Sequence, residues 1–122
     1  MYTCYELTPS SHRDILNQFT PKFPDVIAHH ITIEFGVPEG TPIPSRPAMV
    51  KVVGYACDDA KHVEALLVEV DGTTKRPDGK LYHITLSINR AKGAKPVQSN
   101  DIMHMAQRIE PFHVSVIGKI NA

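Results

Sequence analysis

The chain has 122 residues, enough for one domain and one principal core. Its 13 Lys and Arg balance 13 Asp and Glu, which excludes a protein that grips duplex nucleic acid through a global basic field. With 42% hydrophobic and 21% charged residues it is neither disordered nor a coiled coil, and its seven histidines direct attention to acid–base or metal chemistry.

In chain order, Met1–Leu7 reads as a short β-prone run. A helix follows, opened by Pro9, Ser10 and Ser11, with Ser11 and Asp14 as a weak capping box and Ile15, Leu16 and Phe19 as its apolar stripe. Pro21 and Pro24 end it. Residues 27–36 read as a strand. Residues 37–47, with four prolines, read as loop. Met49–Ala56 is a strand, and Val63–Val70 is another whose Ala65-Leu66-Leu67 would also suit a helix. A polar loop spans 71–79, a strand Leu81–Asn89, and a basic loop continues to Lys95. A short helix over 100–108 and a last strand, His113–Ile120, complete the reading. The expected class is α+β, one domain over 1–122 with a mostly antiparallel sheet. No apolar run approaches the roughly 18–20 residues of a membrane helix, and Met1–Tyr5 has no leader pattern, so a cytoplasmic protein with no membrane partner is expected. Cys4 and Cys57 form no CxxC and read as two reduced thiols.

Shifted by 53 positions, the chain matches itself. Residues 20–33 fall on residues 73–86 with seven of fourteen identical: Thr20, Lys22, Pro24, Asp25, His30, Ile31 and Thr32 against Thr73, Lys75, Pro77, Asp78, His83, Ile84 and Thr85. Tyr2 and Cys4 fall on Tyr55 and Cys57. Each copy is a turn, Thr-x-Lys-x-Pro-Asp, followed by a strand bearing His-Ile-Thr. Two such units suggest two pseudo-symmetric lobes facing one cleft.

Alternation along a strand puts His30, Thr32 and Glu34 on one face and Ile31, Ile33 and Phe35 on the other; His83, Thr85 and Ser87 likewise oppose Ile84, Leu86 and Ile88. Two histidines across a cleft form an acid–base pair. One removes a proton from an attacking hydroxyl, and the other protonates the departing oxygen. In-line displacement at phosphorus needs them on opposite sides of the phosphate, within about 8–9 Å of each other. The threonines can donate to non-bridging oxygens, where charge develops. This chemistry needs no metal and no cofactor.

His30-Ile-Thr32-Ile and His83-Ile-Thr85-Leu resemble the paired H-x-[ST]-hydrophobic motifs of the two-histidine (2H) phosphoesterase superfamily, over roughly residues 1–120. The run Lys95-Pro-Val-Gln-Ser-Asn-Asp101 looks like the branch of cyclic phosphodiesterases associated with RNA ligases and phage RNA repair. The resemblance implies a fold of two pseudo-symmetric lobes about a cleft, with His30 and His83 catalytic and Thr32 and Thr85 phosphate-binding. It implies hydrolysis of 2′,3′-cyclic phosphates at RNA ends or of nucleotides, or, as in some phage members, cleavage of cyclic oligonucleotide signals of bacterial defence. The separation of 53 residues between motifs is short for the family, so the intervening lobe is trimmed. Other readings are a module that binds nucleotide or RNA ends without turnover, and an interaction domain whose histidines are incidental.

Other residues weigh less. His113-Val-Ser115-Val is a third H-x-[ST]-x but lacks the upstream turn. His29 points away from His30 if the strand is regular. His12, His62 and His104 carry no motif. Lys75–Lys95 holds six basic residues against Asp78 alone, while Asp58–Asp71 holds five acids against Lys61. A basic rim beside the second motif would attract an anion locally, with Lys75 and Arg76 as candidate substrate contacts. Tyr82 could stack a base or pack the opposite face of its strand.

Overall fold

The computed structural model describes residues 1–122. Strand β1 (Tyr2–Leu7) leads into helix α1 (Pro9–Gln18). Thr8 caps that helix, its hydroxyl accepting from Ser11 N, with Pro9 in the first turn, where a missing N–H costs nothing. The expected Ser11–Asp14 box does not form; the Ser11 hydroxyl accepts instead from Ser115 N at 2.7 Å. The strand expected over 27–36 is shortened to β3 (His30–Phe35), and a separate two-residue strand, β2 (Asp25–Val26), precedes it. Ala28, at φ +46°, breaks the run between them. An alanine there is strained, and its carbonyl is held by the His12 ring N–H at 2.7 Å.

Strands β4 (Val50–Asp58), β5 (Val63–Val70) and β6 (His83–Ile88) follow, so the helical alternative for 63–70 is overturned. The helix expected over 100–108 is replaced by short 3-10 turns at Pro96–Asp101 and Met103–Met105, then by strand β7 (Gln107–His113). The last strand, β8, covers only Val116–Asn121. The shift to extended backbone at Ala106 fits a sequence, Gln107-Arg-Ile-Glu-Pro-Phe, with no helical apolar stripe and a proline.

All strands belong to one antiparallel sheet in the order β7-β4-β5-β6-β3-β1-β8, with β2 against β6. This is an α+β fold with a mostly antiparallel sheet. Only Val114 and Ser115 separate β7 from β8, although these are the two ends of the strand order, so the sheet curls enough to bring one end of each edge strand together. One core fills the curl: Leu7, Ile31, Val52, Val68, Ile84 and Val116, closed by Ile15 of α1. A smaller core lies against the second half of the sheet, where Ala94, Ile102 and Met103 cover Ala65, Leu67 and Ile88. No helix is long and apolar enough to cross a membrane.

The two motif strands are neighbours. β3 and β6 meet at a single pair, Ile31 opposite Ile84, and these residues are equivalent in the offset repeat. Each strand also carries a bulge at equivalent positions. On β3 the register with β1 skips Ile33, and on β6 the register with β5 skips Leu86. A bulge resets the alternation beyond it. Ile88 therefore joins the smaller core rather than the one holding Ile84 and Leu86. The match of Tyr2 and Cys4 to Tyr55 and Cys57 has no such counterpart, since β1 borders β3 but β4 does not border β6. Both thiols are free.

Candidate functional site

Ile31 and Ile84 point into the core, so the motif polar groups emerge on the other face. The register sets His30 opposite Thr85 and Thr32 opposite His83. The histidines thus occupy the diagonal of a four-residue patch, about 7–8 Å apart at the backbone. Over this patch opens a cleft of about 260 Å³ lined by His30, Thr32, Arg76, His83 and Thr85, together with Phe35, Arg90 and Asn100.

The two rings are held differently. His83 is buried, at 7% exposure, and its Nδ1 lies 3.0 Å from Leu81 O. A carbonyl only accepts, so Nδ1 carries the proton and Nε2 keeps its lone pair. Burial, above all, lowers the His83 pKa to about 4; Arg76, His30 and Lys80 push the same way, and the Leu81 bond opposes them. His30 is half-buried, and its pKa is also lowered, first by burial and then by His29, with Glu6 opposing. Its Nδ1 is 3.4 Å from Nδ1 of His29. Both shifts favour the uncharged imidazole.

The hydroxyls differ too. Thr85 Oγ1 is 2.8 Å from Ser99 Oγ, both groups buried, and Ser99 lies in the 3-10 segment that walls the cleft. Thr32 is buried and bonded to no other side chain, leaving its hydroxyl for a ligand. Arg76 sits in a tight turn: its N–H donates to Lys80 O at 2.8 Å, and Gly79, at φ +86°, closes the turn onto Arg76 O.

Tyr82 takes the packing alternative: it is 6% exposed, lies in the core inside the curl and does not line the cleft, so it is not a substrate contact there. Other expectations are corrected. Lys75 is exposed on the turn and does not line the cleft, whereas Arg76 does. His29 precedes the regular part of β3, so the Ala28 turn brings it round to the cleft instead of away from it. The bulge at Ile33 exchanges Glu34 for Phe35, which lines the cleft at 52% exposure. His113 ends β7 and Ser115 lies between strands, so the third motif shares no strand and no cleft with the pair. Ser99 and Asn100 reach the site only through the tertiary fold.

No group of three or more His, Cys, Asp or Glu side chains is gathered as a metal site. Comparison with protein-family models, curated proteins and solved structures finds no match to this chain.

Proposed function

We propose that this chain is a two-histidine phosphodiesterase that opens a 2′,3′-cyclic phosphate, at an RNA end or of a nucleotide, without a metal. The observation that supports it most is the pairing of two His-Ile-Thr strands at equivalent residues, which sets both histidines diagonally over one cleft. In this reading β8-β1-β3 and β6-β5-β4 are two lobes related by a pseudo-twofold axis between Ile31 and Ile84. The repeated bulges favour it, because they fall at equivalent places against the outer neighbours β1 and β5.

The rings take unequal roles. His83 Nε2, with its lone pair set by the Leu81 bond, receives a proton from the attacking water. The new P–O bond forms as the bond to one ribose oxygen breaks in line. His30, protonated once the phosphate's negative charge stabilises its imidazolium, gives that oxygen its proton. The product is a phosphomonoester beside a free ribose hydroxyl, and solvent returns the proton from His83 to His30. Thr32 and Thr85 donate to the non-bridging oxygens, the Thr85 hydroxyl accepting from Ser99 and exchanging its long bond to Pro96 O for the phosphate.

The test is incubation with 2′,3′-cyclic mononucleotides, cyclic-phosphate-ended RNA and cyclic di- and trinucleotides, separated by chromatography. Conversion of a 2′,3′-cyclic phosphate to a monoester is expected. Turnover of the cyclic oligonucleotides alone replaces this substrate with the defence signal. Binding with every substrate left intact after long incubation turns the site into a binding module and overturns the enzymatic reading.

A further inference from the structure

Arg76 stands out among the buried polar groups. It is 2% exposed. Its Nε donates to Ile33 O at 3.1 Å, and its Nη2 pairs with Asp78 Oδ2 at 2.6 Å. Its third nitrogen, Nη1, is buried with no hydrogen-bond partner. A buried donor left unmatched costs free energy, the more so on a charged group. Bridging the turn to β3 accounts for Nε, and the Asp78 pair accounts for Nη2. Neither accounts for Nη1, and Arg76 lines the cleft between the motif strands.

The guanidinium reaches this position for local reasons. Ile33 is the bulged residue of β3 and is unpaired with β1, so its carbonyl is free to accept from a side chain. Asp78 accepts from Lys80 N at 3.1 Å as well as from Arg76, fixing the carboxylate that orients the fork. Arg76 thus crosses from the turn before the second motif to the strand of the first. The repeat-equivalent position holds Phe23, so this charge is present on one side only.

We infer that Arg76 is an anion-binding group of the cleft, its free Nη1 donating to a non-bridging oxygen of a tetrahedral phosphate held between His30 and His83. The inference rests on the phosphate reading above and narrows it. It places a permanent positive charge in the lining of the cleft, pre-oriented because a planar guanidinium can hold Ile33 O and Asp78 and still present Nη1, which an ammonium cannot. The exposed Lys75 next to it has no such role.

The experiment uses inorganic phosphate as the probe and the His30 and His83 ring signals as the reporter, by NMR titration of the whole chain. Phosphate is expected to shift both rings in the wild type. Arg76→Gln is expected to weaken phosphate at least about tenfold, and Lys75→Gln to leave its affinity within about twofold. Should Arg76→Gln fail to fold, the wild type carries the test. The ¹⁵N–¹H signals of the Arg76 guanidinium should shift along the same phosphate curve as the rings. Equal weakening by both substitutions, no weakening by Arg76→Gln, or a silent guanidinium while the rings respond would each overturn the inference. Phosphate binding that depends on Arg76 in a protein with no turnover sinks the enzymatic reading and leaves this one standing. Turnover with phosphate affinity indifferent to Arg76 does the reverse.

Discussion

The two motif strands carry the same His-Ile-Thr and meet at the same isoleucine, yet their surroundings differ. β6 is buried along its whole length, covered on the cleft side by the segment from Ala94 to Met103. β3 is covered only to its middle and ends in the exposed Glu34 and Phe35. The consequence is chemical. His83 is buried, pinned by a carbonyl and strongly depressed in pKa, while His30 is half-exposed, lies against the Tyr2 ring and has only His29 as a side-chain hydrogen-bond partner. Thr85 is bonded to Ser99, and Thr32 is not bonded to a side chain. The repeated motif thus has one rigid member and one adaptable member, which suits the proposed acid–base pair, whose two rings would do opposite things with a proton.

Equivalent substitutions on the two strands should have unequal effects. Thr32→Val and Thr85→Val should each lower turnover about 10²–10³-fold by removing a donor to the developing charge. Only Thr85→Val should also lower stability in urea, since it leaves the Ser99 hydroxyl without its partner. Equal stability of the two variants would show that the Thr85–Ser99 contact does not matter.

Next in size is a pH effect on folding. His83 titrates near 4 when folded and near 6.5 in an unfolded chain, so the native state binds fewer protons between these values. Its contribution is complete above about pH 6.5 and is lost as pH falls toward 4, by about 3 kcal/mol. Urea melts at pH 7 and 4.5 should show the loss, and His83→Gln should remove most of it. His30→Gln acts in the same direction but less. A pH slope unchanged in His83→Gln would contradict the burial argument.

Ser99→Ala should cost about 1 kcal/mol of stability and a smaller loss of turnover than either threonine variant, because it only loosens Thr85. Smallest of all, His113→Ala should leave turnover unchanged, which steady-state kinetics would check, since His113 lies outside the cleft.

Much of the pair was legible because alternation and an offset repeat are one-dimensional signals. They identified the faces of His30, Thr32, His83 and Thr85 and the antiparallel class. They missed what depends on one inserted residue. The bulge at Ile33 moves Phe35 into the cleft, and no alternation rule records it. The positive φ of Ala28 brings His29 round, and the alanine is held there by two contacts distant in sequence, the His12 ring on its carbonyl and Thr85 O on its N–H. Arg76 was named from local charge alongside Lys75; burial, which no run of charges reveals, separates them. Ser99 is 14 residues from Thr85 in sequence and meets it through the fold.

The proposed function requires both histidines to perform the chemistry in one metal-independent cleft. The direct measurement is turnover of a 2′,3′-cyclic nucleotide, in EDTA, by the wild type, His30→Ala and His83→Ala, with circular dichroism as the check on folding. Full wild-type activity is expected in EDTA, with a loss of about 10²–10⁴-fold in each variant. Wild-type activity abolished by EDTA, or either folded variant turning over at the wild-type rate, would contradict the proposed function.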